Sequence, residues 1–300
     1  SSSNDAASSH RDMFSHAKKL IAQVGRRSYG KLGIVGVPFE AGQVRIDVKD
    51  YGDLSYEAED VAVSNMSHMG HFAGCTKCLS EKVQQVLNDG RQVLTLGGDH
   101  SLGVGSVDAH VKVKKDVALL WIDAHADLNT NATSQSGNVH ACIQKNYVGY
   151  IGLRSVDRYE RLVIEKFGIN AYGIRDVERY GRLQPLHMAL ARVDPEGNKS
   201  LHVSFDIDVL DPLEAPSTGT SVRGGLALRE GIHLMEEIYQ TGRLNAVDLV
   251  EVNPRIGSER DVKITVEAAI QIIQAAFGYN RRGLKVPDGI TDIPLQTFKK

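Results

Sequence analysis

The chain has little of what would tie it to a membrane, a nucleic acid or an oxidising compartment. No apolar run reaches the roughly 20 residues that cross a bilayer. Lys and Arg total 35 against 37 Asp and Glu, so no excess charge points to nucleic acid or an anionic surface as partner. The three cysteines, Cys75, Cys78 and Cys142, are few and odd in number. They exclude a disulfide framework and fit a reducing compartment, the cytoplasm first and the mitochondrion as alternative. No internal repeat and no Pro/Gly/Ser-rich linker divides the sequence. A hydrophobic share of 42% with 24% charge supplies an ordinary globular core.

What is present is organised around Val117–Asp127, VALLWIDAHAD. The apolar run ending at Ile122 reads as a strand buried on both faces, and it stops at a charge. If the segment stays extended, Asp123, His125 and Asp127 point the same way past two small alanines. In an open parallel sheet such strand ends are where ligands bind.

Residues 1–12, rich in Ser, Ala and Asn, read as a tail. From Met13 to Val24 apolar residues recur at helical spacing and Arg26-Arg27 follow; this would suit a mitochondrial targeting peptide, although Asp5 and Asp12 count against one. Residues 1–30 are therefore set apart as an N-terminal tail and helix. Strands are expected at Leu32–Val37, near Val48, and at Val93–Leu96, Val117–Ile122, Val148–Leu153, Ile169–Tyr172, Leu201–Phe205 and Ala246–Val250. Helices are expected between them, ending near Asn88 and covering Arg229–Gln240 and Ile264–Phe277. This alternation predicts a three-layer α-β-α sandwich around a mainly parallel, doubly wound sheet, an α/β fold in one domain over residues 31–278. Residues 279–300 lack periodicity and read as a C-terminal tail.

Four constellations fall where a predicted strand gives out: Gly97-Gly98-Asp99-His100-Ser101, then Asp123, His125 and Asp127, then Asp206-Ile207-Asp208, then Glu251. Each alone has a bland reading, since an Asp-x-Asp at a strand end is commonly a cap or turn and a lone histidine is often an interior one. Gathered in one crevice, Asp123, Asp127, Asp206 and Asp208 would repel each other severely without cations. Two divalent ions balance four carboxylates. A donor set of carboxylates with two imidazoles and no thiolate suits Mn²⁺ better than a structural zinc. Water between two such ions ionises near neutral pH, so the reaction class is metal-assisted hydrolysis. Glu251, not needed as a ligand, is free to pair with a cationic substrate group, and His140 on the loop beyond Asp127 can shuttle protons. His68, His71, Cys75 and Cys78 offer zinc-like residue types, but on one helix they would span about 15 Å, too far for one tetrahedral ion.

These residues match a known pattern. GGDHS at 97–101, DAHAD at 123–127, SGNVH at 136–140, SFDIDVLDP at 204–212, STGTSVRGG at 217–225 and LVEVNP at 249–254 together resemble the arginases, of the ureohydrolase family, over Leu32 to Phe277. The resemblance implies a homotrimeric binuclear manganese hydrolase that converts L-arginine to L-ornithine and urea by attack of a metal-bridging hydroxide on the guanidinium carbon. By the same resemblance His100, Asp123, Asp127 and Asp206 hold one Mn²⁺, and Asp123, His125, Asp206 and Asp208 the other. Asp127 passes a proton to the departing amine, His140 is the proton shuttle and Glu251 orients the guanidinium. Asn129, Ser134 and Ser136 match contacts to the substrate α-carboxylate, Asn138, Asp157 and Glu160 match the surroundings of its α-amino group, and Thr220 belongs to the same substrate-binding set. The arginine-type pattern from Asn129 to Asn138 favours arginine over agmatine.

Two connections, 43–47 and 141–148, are shorter than the fold and the resemblance lead one to expect; each has either been deleted or is missing from the chain as given. Two further readings stand beside the first. One is another ureohydrolase, agmatinase-like or acting on a different guanidino compound. The other is an inactive trimeric scaffold that binds arginine without turnover.

Overall fold

A computed structural model describes the backbone of residues 31–35, together with residues 47–61, 68–129 and 148–279. In chain order the elements are β1 (Lys31–Val35), β2 (Asp47–Asp50), α1 (Met69–Asn88), β3 (Gln92–Leu96), α2 (Gly103–Lys114), β4 (Val117–Ile122), β5 (Val148–Leu153), α3 (Arg158–Phe167) and β6 (Asn170–Gly173). They continue with α4 (Ile174–Tyr180), α5 (Gln184–Val193), β7 (Ser200–Asp206), α6 (Leu228–Gln240), β8 (Leu244–Val250) and α7 (Glu259–Ala276). The eight strands form one sheet in the order β2-β1-β3-β8-β7-β4-β5-β6, and every described pairing is parallel. Parallel strands covered on both faces require apolar side chains in both directions. β4 and β5 meet this requirement with every residue buried.

Strand alternation divides the core between two faces. Leu94, Leu120, Ile122, Val203, Phe205 and Leu249 pack against α4 to α7. On the other face Val93, Leu119, Trp121 and Tyr150 meet α1, α2 and α3. The result is the expected three-layer α/β sandwich. Each strand expected within the described residues is present, with ends moved by a residue or two.

The helix starts differ more, because they are set by polar contacts that leave no apolar period. α7 begins at Glu259, where Ser258 and Asp261 cap each other's backbone N–H groups. α1 reaches back to Met69 because its first half lies on residues 57–59, with the Glu59 N–H donating to the Gly70 carbonyl. The 1–30 segment and, of the two short connections, residues 43–46 and 141–147 lie outside the described residues. Among the described residues no helix is long and apolar enough to cross a membrane.

α1 and α2 approach backbone to backbone. A Cβ on Gly105 would sit 2.7 Å from the Thr76 carbonyl oxygen and 3.3 Å from Leu79 Cβ. Gly105→Leu should therefore push the helices apart and destabilise the chain by about 1–3 kcal/mol, read as a lower urea midpoint.

Candidate metal centre

Between β3 and β4 the chain skips the two positions that β8 and β7 later fill. A doubly wound sheet opens a crevice at such a reversal, outside the carboxyl ends of the strands. His100 follows β3, Asp123, His125 and Asp127 follow β4, Asp206 ends β7, Asp208 lies just beyond it and Glu251 follows β8. Four central strands, distant in sequence, thus deliver the four constellations to one place.

Two groups of possible metal ligands form there: His100 with Asp123 and Asp206, and Asp123 with His125 and Asp208. Asp123 belongs to both. His100 Nδ1 lies 2.9 Å from Asp123, 3.2 Å from Asp206 and 3.3 Å from Asp127, each time from Oδ2. His125 Nδ1 lies 3.0 Å from Asp208 Oδ2 and 3.6 Å from Asp123 Oδ1. One route to this arrangement differs from the expectation. Asp123 to His125 is bent rather than extended, and Asp127 sits at φ +52°, so His125 and Asp127 face different halves of the cluster. The His125 N–H donates to Asp123 Oδ1 (2.7 Å), and the Asp208 N–H donates to Asp206 Oδ1 (2.8 Å). Each bend is thus an Asx turn that aims the remaining oxygen inward.

The site concentrates negative charge away from water. Burial, followed by the charges of Asp123 and Asp208, pushes the Asp206 pKa well above the usual carboxylate range. Burial also acts on Asp208, but the hydrogen bond and charge of His125 outweigh it and hold that carboxyl low. Burial would lower both imidazoles; the neighbouring carboxylates instead raise His100 well above its ordinary value and His125 to about 11. Buried His100 Nδ1, crowded by three carboxylates, makes a well-formed hydrogen bond to none of them. A cation fits such a place: the donors are oxygen-rich, convergent and mutually repulsive.

Glu251 stands beside this cluster at φ +63°, a costly conformation for a long side chain. Its Oε1 accepts the His100 N–H at 2.8 Å. Burial, with the Asp99 charge, lifts its pKa to about 7.

Other residues brought to the site carry structural contacts. Asp157 and Glu160 form the N-terminal capping box of α3. Glu160 Oε1 also accepts the Leu128 N–H at 3.1 Å, while Asp157 Oδ2 accepts Asn129 Nδ2 at 2.7 Å. They thereby tie the loop after β4 to α3. Thr220 Oγ1 donates to Asp208 Oδ2 at 3.1 Å. Ser134, Ser136, Asn138 and His140 lie outside the described residues. The His68, His71, Cys75 and Cys78 set does not converge; the two groups at the strand ends are the only clusters of three or more possible ligands among the described residues.

Three contributors were missed in the sequence. Trp121 donates Nε1–H to Asp123 Oδ2 at 3.0 Å and stacks on His100 with ring centroids 3.9 Å apart. Gly103 makes room for it, because a Cβ there would stand 2.9 Å from the indole. Arg154 donates to the carbonyls of Asp208, Val209, Leu210 and Val222, at distances from 2.6 to 3.2 Å, which pins the turn carrying Asp208. Strand parity was a usable signal for Trp121, two residues before Asp123. Nothing local marks Gly103 or Arg154.

Comparison with known proteins agrees with this geometry. The Arginase family model matches residues 19–278. Hepatic arginase of Aquarana catesbeiana is 35% identical over 321 aligned residues, covering 88% of this chain and 99% of the relative. An alignment of 321 positions that uses 88% of a 300-residue chain leaves several dozen positions of the relative without a counterpart. The arginase structure from Bacillus subtilis superposes with a TM-score of 0.71 at 28% identity, covering 83% of this chain and 99% of that one. Formimidoylglutamase from Bacillus subtilis superposes at 0.67 with 19% identity, covering 84% of this chain and 87% of that one, a likeness of fold alone.

A pH dependence follows from the raised imidazoles. A His125 pKa near 11 means that the metal-free chain carries at neutral pH a proton which an incoming cation must displace. Its contribution to the metal-free fold is complete below the ordinary imidazole value and fades only as pH climbs toward about 11. Apparent affinity for a divalent cation should therefore rise with pH by roughly tenfold per unit for each proton displaced. Titration calorimetry in buffers of different ionisation heat should show protons released; a flat profile from about pH 6 to about pH 9 would contradict the assignment.

Proposed function

The chain belongs to the arginase family, and on that premise we propose that it is a binuclear manganese hydrolase converting L-arginine to L-ornithine and urea. The observation that carries this reading is the pair of acid–imidazole groups sharing Asp123 at the sheet's reversal point. His100, Asp123, Asp127 and Asp206 would hold one Mn²⁺; Asp123, His125, Asp206 and Asp208 would hold the other. When bound, two such ions would supply a water ionised near neutral pH, the nucleophile for the guanidinium carbon.

The chain's own residues then account for binding and proton movement. Glu251, fixed through the His100 N–H, presents a carboxylate that pairs with the guanidinium and aligns its carbon with the cluster. Its raised pKa belongs to the cation-free site; with cations held nearby, the ionised form that a cationic substrate needs would be favoured. Asp127 keeps one side open, with its side chain 17% exposed. From there it receives a proton and passes it to the departing amine of ornithine. His140, thirteen residues further along the chain, would carry to bulk solvent the separate proton given up by the water that replaces the consumed hydroxide.

Selection of arginine over a decarboxylated analogue rests on Asn129, Ser134 and Ser136 toward the α-carboxylate. Asn138, with the Asp157 and Glu160 cap, shapes the α-amino end, and Thr220 acts at the same rim. The cap ties Asn129 in place, which supports a preformed carboxylate subsite. By family resemblance the active form is a homotrimer. Resemblance of fold to formimidoylglutamase does not bear on substrate, because that choice lies in the loop after Asp127.

The test is urea release from L-arginine and, in parallel, from agmatine, after incubation with Mn²⁺ and again after chelation. Metal-dependent release from arginine alone is expected. Release from agmatine instead would move the chain to another ureohydrolase activity, and arginine binding without urea would support the inactive scaffold. Asp206→Ala, which removes a carboxylate shared by both ion sites, should lower kcat/KM by at least about 100-fold; undiminished turnover would sink the ligand assignment.

A further inference from the structure

Behind the ligand cluster a second polar system runs through the sheet and is not used by the chemistry above. Asp248, in the middle of β8, is fully buried. Its Oδ2 is approached by Ser106 Oγ at 2.6 Å, His202 Nε2 at 2.9 Å and Ser204 Oγ at 3.3 Å. Ser204 Oγ in turn lies 2.9 Å from His100 Nε2. Further back, His202 Nδ1 meets His110 Nδ1 at 3.2 Å, His110 Nε2 meets Ser200 Oγ at 2.7 Å, and Asn245 Nδ2 donates to Ser200 Oγ at 2.8 Å. The carboxylate is thus held from several elements at once.

Hydrogen-bond polarity determines what this does to His100. An ionised carboxylate only accepts. Ser204 has one hydroxyl hydrogen, which Asp248 takes, so toward His100 the Ser204 oxygen can only accept. His100 must then carry hydrogen on Nε2 and leave Nδ1 as the atom that faces Asp123, Asp127 and Asp206. The stacked Trp121 ring fixes the plane of the imidazole, but a stack does not distinguish one nitrogen from the other. We propose that Asp248, acting through Ser204, is a positioning residue that fixes His100 as a metal ligand through Nδ1. The inference rests on the reading of His100 as a ligand and deepens it: a residue in the sheet core selects the ligand atom.

Mn²⁺ titration calorimetry on the full chain tests this, with thermal midpoints of the metal-free proteins measured alongside. The variants are Ser204→Ala, Asp248→Asn, the double variant, and His100→Ala as reference. Ser204→Ala and Asp248→Asn should each weaken Mn²⁺ binding at the His100 side by about 10- to 100-fold, because an amide can present a donor to Ser204 where the carboxylate cannot. The double variant should bind no more weakly than the weaker-binding single variant, since one residue works through the other. A purely structural Asp248 would lower the thermal midpoint while leaving Mn²⁺ affinity at the wild-type value, or its loss would multiply with that of Ser204→Ala; either result overturns the proposal. If Asp248→Asn does not fold, Ser204→Ala decides alone. Lost affinity at an unchanged metal-free midpoint supports the proposal, and unchanged affinity overturns it. Wild-type Mn²⁺ binding by His100→Ala would overturn the metal-centre reading itself, a result separable from failure of the two outer variants.

Discussion

Burying carboxylates next to one another is the constraint on which the rest of this structure depends. Asp123, Asp206 and Asp208 are almost completely withdrawn from water, and the fold places them together with Asp127 around two imidazoles. Isolated ionised groups in such a place cost several kcal/mol each, far more than any single packing contact returns. The neighbouring residues respond to that cost. Backbone N–H groups from Asx turns hold one oxygen of Asp123 and one of Asp206, Trp121 holds the other oxygen of Asp123, and Thr220 and the Ala124 N–H hold Asp208. What remains unsatisfied points inward, where a cation has the charge to balance it.

The parallel sheet makes this arrangement possible. Strands of an antiparallel sheet would send alternate ends to opposite rims, whereas here four adjacent strands release their loops on the same side. The rim is then supported from below. Arg154 gathers four carbonyls of the turns near Asp208 and Val222, and the α3 cap anchors the far side of the loop after β4. Ligand atoms are held by backbone geometry more than by side-chain packing, so replacing a ligand should leave most of the sandwich intact.

A stripe of polar residues extends the same logic inward. His202, Ser204 and Asp206 alternate with Leu201, Val203 and Phe205 along β7, and all are buried. One face of the strand therefore packs as core while the other carries hydrogen bonds from the sheet interior to the ligand cluster. Asp248 lies beside Ser204 in the register of β7 and β8. This pairing is what brings a core carboxylate, through Ser204, within reach of His100, which follows the adjacent strand β3.

Much of this was legible in the amino-acid sequence, for a physical reason. Burial on both faces forces unbroken apolar runs, so β4 and β5 had their observed limits in the residues themselves, and the charges that ended the runs marked the functional rim. The residues that could hold a metal, His100, Asp123, His125, Asp206 and Asp208, with Asp127 beside His100, were legible because clustered carboxylates at strand ends have few other uses. Parity within a strand also carried information that local reading passed over: Trp121 lies two residues before Asp123, Ser204 two before Asp206, and Asp248 is a charge inside an otherwise apolar strand. Tertiary structure alone decided the rest. Strand order, which joins β3, β8, β7 and β4 at one crevice, depends on pairings such as Val93 with Ala246, Val117 with Ser200 and Leu201 with Leu244, far apart in the chain, and no local pattern encodes it. The close approach of Gly103 to Trp121, the reach of Arg154 to Val222 and the split of the possible ligands into two groups sharing Asp123 are likewise distances between separate elements. Sequence periodicity records which face a residue presents; what meets that face is settled only when the chain has folded.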